Sequence, residues 1–169
     1  MRLGIMTDSH DHLRNLGRAV LEFKRRNAEA IIHSGDFVAP FTIDVLKHAG
    51  CPVYSVYGNC DGERIGLSNR FKEIHEKSEI NTEPHIYELD GLRIVVMHHP
   101  AWIESFASTK QADIIVYGHL HKLHIENRPP WIINPGEVFG LKADPTAVWF
   151  DTSTPEPEIL HLKNLSDLK

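Results

Sequence analysis

Five short apolar runs in this chain each end within a few residues of a side chain that can bind a metal ion. Residues 3–6 precede Asp8 and His10, residues 30–32 precede Asp36, and residues 52–57 precede Asn59. Residues 94–97 precede His98, and residues 114–117 precede His119 and His121. Runs this short, bounded by Gly, Pro, Asp and Asn, read as buried strands rather than as helices. Open α/β sheets gather their chemistry in the crevice beyond the carboxyl ends of the strands. Donors carried by five strand ends, nitrogen and oxygen only, therefore predict one convergent polynuclear metal site.

Between these runs the chain reads βαβαβ and then becomes more antiparallel. Leu13, Leu16, Val20 and Phe23 step by about three or four residues, one apolar stripe of a helix over 12–27, with Asp11 as its N-cap. A second helix covers 41–49 and is stopped by Gly50 and Pro52; a third, less regular one covers 63–77. Asp90-Gly91 between apolar segments 86–89 and 92–97 is a strong hairpin signal. A short helix over 104–111 leads into the strand before His119. Further strands are expected at 123–126, 131–134, 147–150 and 159–162, the last two joined as a hairpin through the Pro-rich stretch 152–157. No internal repeat or long linker interrupts the 169 residues, which fit one catalytic domain over 1–169, with the end from 164 onward fraying.

Composition narrows the class. Hydrophobic residues make up 41 % and charged residues 24 % of the chain, ordinary values for a packed domain. Two cysteines, Cys51 and Cys60, are too few for a disulfide framework. The apolar start is too short for a signal peptide or a membrane span, so a cytoplasmic protein away from the membrane is expected. The net charge is −5, with basic residues scattered. A protein that grips duplex nucleic acid by its phosphates shows a basic face instead, so no duplex partner is expected. The basic run Lys24-Arg25-Arg26 falls at the end of the first helix, where it complements the helix dipole.

The blocks stand as Asp8-Ser9-His10, Gly35-Asp36, Gly58-Asn59-Cys60-Asp61, His98 and Gly118-His119-Leu120-His121. In order and spacing they resemble the calcineurin-like metallophosphoesterase superfamily, over about residues 3–136. The small size, Cys60 in the third block and the Asn134-Pro135-Gly136 turn are similar to its small archaeal and bacterial phosphodiesterase branch. That resemblance implies an α/β fold of two mixed sheets packed as a sandwich with helices outside. It also implies a metal-dependent phosphodiesterase, in which a hydroxide bridging two metal ions attacks phosphorus in line. Asp36 would bridge the ions, Asp8, His10 and His121 would hold the first, and Asn59, His98 and His119 the second.

The chemistry suits these residue types. Two divalent ions about 3.5–4 Å apart need a shared anionic ligand, which a carboxylate supplies and an imidazole does not. With no thiolate in the set, Mn²⁺ is favoured, and Ni²⁺, Fe²⁺ and Zn²⁺ remain open. Two such ions less the charges of Asp8 and Asp36 leave two positive charges, which a hydroxide and a small phosphodiester monoanion would cancel.

Other positions are read against this set. Adjacent strand residues point oppositely, so His98 rather than His99 is expected to coordinate. In Gly118-His119-Leu120-His121 an extended segment would turn both histidines the same way, and Gly35, Gly58 and Gly118 would let the chain turn tightly. His33 reads as a packed core residue, and Asp61 as a group that orients its segment. Cys60 stands where better-known members carry a histidine thought to assist the leaving group; a thiol is a weaker donor, which makes Cys60 the one catalytic candidate outside the ligand set. A homo-oligomer is left open. The alternative reading is a metal-binding scaffold of the same fold, as in the small subunit of the retromer coat.

Overall fold

The structure, a computed structural model, describes residues 1–169 apart from Arg128, Pro155 and Lys169. The first half contains β1 (Arg2–Met6), α1 (Leu13–Arg25), β2 (Ala30–His33), α2 (Ile43–Leu46), β3 (Val53–Val56), α3 (Arg64–Phe71) and β4 (Glu79–Asn81). The second contains β5 (His85–Leu89), β6 (Leu92–Val96), α4 (Ile103–Ser108), β7 (Ile114–Val116), β8 (Leu123–Glu126), β9 (Trp131–Pro135), β10 (Thr146–Asp151) and β11 (Glu158–His161). One sheet runs β11-β10-β1-β2-β3-β4 and the other β5-β6-β7-β9-β8.

Side-chain alternation explains the layers. Leu3 and Ile5 of β1, Ala30 and Ile32 of β2, and Val56 of β3 share one buried cluster with Ile94, Val96, Ile114, Val116 and Ile133 of the other sheet. The opposite faces are covered too. Met6, Ile31 and Val53 pack with Leu16, Val20 and Phe23 of α1 and Leu67 of α3. Val95, Ile115 and Ile132 pack against Ile103, Phe106 and Ala107 beside or within α4. Strands buried on both faces need continuous apolar sequence, which is why these runs do not alternate. Gly4 is where α1 meets β1 most closely: a Cβ there would lie 2.5 Å from the Phe23 ring.

The two mixed sheets with outer helices are those expected, with differences in detail. In the second sheet the antiparallel pairs are the edge pairs β5–β6 and β8–β9, while β6, β7 and β9 run parallel; β10 joins the first sheet antiparallel to β1 and β11. Asp90 and Gly91 close the β5–β6 hairpin with φ of 52° and 78°, the left-handed pair its tight turn requires. The strands β10 and β11 form the expected hairpin, with Pro155 of its connection outside the described residues. The end expected to fray from 164 is instead held as far as it is described: Leu165 packs on the core and Asp167 accepts from Arg14 and Arg18, with Lys169 outside the described residues. The cap of α1 is His12, whose Nδ1 accepts from the Asn15 amide, not Asp11. That aspartate is left-handed (φ 59°) and accepts from the Ala39 amide instead. The second helix is shortened because 40–42 form a 3-10 turn, and the third ends at Phe71 rather than 77. A three-residue edge strand, β4, was not anticipated; Glu79 and Asn81 give it no apolar pattern.

No helix of the described residues is long and apolar enough to cross a membrane.

Candidate metal centre

The polar blocks occupy turns just beyond the strand ends, and the backbone there is unusual. Asp8, His10, Asp36, His119 and His121 all have positive φ, at 51°, 40°, 61°, 65° and 53°. Left-handed non-glycine residues are uncommon and persist where surrounding contacts over-determine them. The expected extended 118–121 segment is therefore a turn, with the Leu120 amide donating to the Gly118 carbonyl at 2.7 Å. The turn, not strand alternation, brings both imidazoles inward. Of the three glycines only Gly35 has positive φ, at 98°. Gly58 and Gly118 are needed for close approach: added Cβ atoms would lie 2.1 Å from Asp36 Oδ1 and 2.2 Å from Thr7 Oγ1.

All seven expected donors come together as a chain of contacts. His121 Nε2 lies 3.4 Å from Asp8 Oδ1, and His10 Nε2 lies 3.7 Å from the same oxygen. Asp36 Oδ2 is central, 3.5 Å from His10 Nε2 and 3.4 Å from His98 Nε2. Asn59 Oδ1 lies 2.9 Å from both His98 Nε2 and His119 Nδ1. His98 is fully buried, whereas His99 points to Glu83, its Nδ1 2.5 Å from Oε1.

Neighbouring groups fix these side chains. His98 Nδ1 donates to the Ser34 carbonyl at 2.8 Å, leaving the Nε2 lone pair inward. His121 Nδ1 likewise donates to the buried Glu137 carboxylate. Outer partners of this kind orient metal-binding imidazoles and raise their basicity. Asp8 Oδ2 accepts from Thr7 Oγ1 and the His119 amide, which leaves Oδ1 free to face the histidines. Asp61 holds its own segment, as expected, through the Gly58 amide, and beyond that expectation it accepts the amides of Asp36, Phe37 and Val38 in the neighbouring turn, all at 2.7–3.0 Å. Asn134 holds the Gly118 carbonyl at 3.1 Å. Sequence reasoning missed Glu137 and Glu83: one follows a Pro-Gly turn, the other sits in a loop before a proline, and no spacing rule marks either.

Electrostatics favours positive charge inside the cluster. Burial alone would raise Asp36, but the hydrogen bond and charge of His98, with the Cys60 amide, hold it well below the usual carboxylate range. Burial works against His98, yet Asp36 raises it above the ordinary imidazole value. His10 is raised too, first through Asp8. His119 is lowered by burial and by His99 and His98 beside it. Asp8 Oδ1 and His10 Nε2 are buried without a hydrogen-bond partner, an arrangement that costs free energy unless a cation satisfies both. Among the described residues, three groups of donor atoms lie within 4.8 Å of one another: Asp8, His10 and His121; Asp8, Asp36 and His98; His10, Asp36 and Cys60. The residues present therefore fit divalent metal ions.

Cys60 differs from expectation, since its sulfur is within reach of the donor set. Its amide donates to Asp36 Oδ1 at 2.8 Å, its Sγ receives Asn59 Nδ2 at 3.3 Å, and desolvation raises the thiol to about 11, with Asp36 adding to the shift. His33 is a core residue, stacked on Phe37 with centroids 3.8 Å apart and pushed down to about 3 by burial. Above the donors opens a cleft of about 210 Å³, whose far wall is Phe139, Leu141 and Lys142.

Two mixed sheets whose carboxyl ends share a cluster of acidic and imidazole donors define a metallohydrolase type of site. The chain belongs to the calcineurin-like phosphoesterase superfamily, whose domain profile matches residues 1–155. A phosphodiesterase of Methanocaldococcus jannaschii is 36 % identical over 160 residues, covering 92 % of this chain and 96 % of that protein. The solved structure of an archaeal phosphodiesterase superposes with a TM-score of 0.88 at 35 % identity, covering 95 % of this chain and 99 % of its own. Similar in fold alone are a phosphoesterase from E. coli (TM-score 0.70, 19 % identity, 100 % and 97 % covered) and Vps29 from Cryptosporidium parvum (TM-score 0.64, 17 % identity, 98 % and 96 % covered).

Proposed function

We propose that this chain is a metal-dependent phosphodiesterase that hydrolyses small phosphodiesters with two divalent ions, Mn²⁺ favoured. Asp8, His10 and His121 hold one ion, Asn59, His98 and His119 the other, and Asp36 lies between them. The observation that carries this reading is the position of Asp36 Oδ2, which faces His10 on one side and His98 on the other at 3.5 and 3.4 Å. The relationship to archaeal phosphodiesterases supports the diester over other esters.

Ions held by these residues would supply Lewis-acid polarisation of the phosphoryl group and lower the pKa of an attacking water. The protein contributes orientation. Ser34 and Glu137 hold His98 and His121 in one tautomer each, and Asp61 fixes the turn that carries Asp36. Lys142 on the far wall of the cleft offers a positive charge to a phosphate oxygen. Leu141, 72 % exposed on the same wall, offers apolar contact to an ester group. The two cysteines are free, Cys51 buried and Cys60 exposed, as suits a reducing cytoplasm, and the whole chain is read as one catalytic unit.

The test is hydrolysis of bis(p-nitrophenyl) phosphate by EDTA-stripped protein before and after adding Mn²⁺, Ni²⁺, Fe²⁺ or Zn²⁺, with metal content measured alongside. Metal-restored turnover is expected. A protein that binds two ions per chain and cleaves no diester overturns the reading in favour of a scaffold.

A further inference from the structure

We propose that Glu137 is a positioning residue that joins a metal ligand to the substrate-facing loop, one buried carboxylate setting both the direction of the His121 lone pair and the course of residues 140–143. This rests on the metal reading of the site given above. Glu137 is completely buried. Its Oε2 receives the His121 Nδ1 proton, while Oε1 accepts the amides of Lys142 and Ala143, both at 2.7 Å. A buried carboxylate is expensive unless its oxygens are matched by donors. Here the donors are one imidazole that faces the metal cluster and two amides of the loop that walls the cleft.

The backbone of this segment is secured independently, so the side chain is not needed for that task. The segment crosses from β9 in one sheet to β10 in the other, and Val138 and Phe139 donate to the carbonyls of Thr7 and Asp8 at 3.0 Å. The Glu137 carbonyl itself accepts from the Thr146 amide at 2.9 Å. What remains for the carboxylate is the next stretch, where Leu141 and Lys142 reach the cleft, and the histidine beneath it.

Only an acceptor on both sides does both jobs. The amide of glutamine has one accepting and one donating end. With its NH₂ toward His121, the imidazole must accept at Nδ1, which moves its proton to Nε2 and points an N–H at Asp8 where a lone pair is required. With its carbonyl toward His121, the NH₂ opposes the amides of Lys142 and Ala143 and displaces the loop. The first arrangement weakens a metal site, and the second raises KM.

The experiment combines tautomer, metal affinity and kinetics. Long-range ¹H–¹⁵N NMR of the metal-free wild type reads the His121 tautomer directly, and the Nδ1–H form is expected; an Nε2–H form overturns the proposal whatever the variants do. For Glu137→Gln, Mn²⁺ titration followed by electron paramagnetic resonance should show one of two sites weakened about 10–100-fold, or KM for bis(p-nitrophenyl) phosphate raised by a similar factor at unchanged metal affinity. In a His121→Ala background the same substitution should cost no further Mn²⁺ affinity. A Glu137→Gln protein with wild-type affinities and KM, or additive losses of affinity in the double variant, sinks the proposal. A wild type that takes up no Mn²⁺ refutes the metal reading instead.

Discussion

Replacing Asp61 by asparagine changes almost nothing in size and one thing in chemistry. Asp61 is 2 % exposed, and its two oxygens accept four main-chain amides: Phe37 and Val38 on Oδ1, Asp36 and Gly58 on Oδ2. An asparagine accepts at one end only, so whichever way it turns, two buried amides face an NH₂ group. Leaving a buried donor unmatched costs about 1–3 kcal/mol, so the substitution should destabilise the protein by about 2–6 kcal/mol. That is a large share of a typical domain's ~5–15 kcal/mol. Urea unfolding in EDTA, followed by tryptophan fluorescence, measures it without any contribution from metal. A loss below about 1 kcal/mol would mean that the four bonds do not hold the Asp36 turn, because a single unmatched amide already reaches that cost.

Asp36→Asn keeps a residue that tolerates the left-handed backbone but cannot bridge two ions; at least one ion per chain should be lost by elemental analysis, with diester turnover down about 100-fold or more. His98→Ala should weaken Mn²⁺ binding far more than His99→Ala, and equal losses in a titration would reassign the ligand. Burial holds His33 at about 3 in the folded protein, below the ~6.5 of an unfolded histidine. Its stabilising share is therefore whole above about pH 6.5 and is lost as pH falls toward 3, by up to about 1.4 kcal/mol per unit. Urea midpoints of a His33→Asn variant should thus fall less steeply between about pH 6 and 4 than those of the wild type, and equal slopes contradict the assignment. Aryl diesters should be cleaved far faster than alkyl ones, since help from a good acid is worth about 10²–10⁴-fold and Cys60 is a poor one; a Cys60→Ala loss in aryl turnover beyond about threefold would make the thiol a participant.

The strand ends were legible because strands buried on both faces leave long apolar runs, and the polar residue that follows each run stands out. The same logic placed His33 in the core; that Asp61 reaches across to hold the Asp36 turn is visible only in the structure. What could not be read was conformation that the site itself imposes. His119 and His121 were expected on an extended segment, and only the structure shows the left-handed turn that aims them. Asp11 looks like a helix cap, but its positive φ sends its carboxylate to Ala39, and His12 takes the capping role. Glu137 and Glu83 act across 16 and 15 residues of sequence, and local patterning carries no trace of such partners. The edge strand β4 was missed because three residues, two of them polar, have no period to detect.

The donor cluster straddles a seam. Asp8, His10, Asp36 and Asn59 hang from one sheet and His98, His119 and His121 from the other, with no strand shared between them. The two halves are held together by the apolar layer beneath them, where Ile5, Ile32 and Val56 meet Val96, Val116 and Ile133, and by the His119 amide on Asp8 and His98 Nδ1 on the Ser34 carbonyl. On the proposed metal reading, trimming a methyl group from that layer should shift one half of the donor set against the other, much as thinning a washer alters the bite of a clamp. If the proposed ions bind there, their affinity should respond to aliphatic substitutions in that layer which touch none of the seven donors.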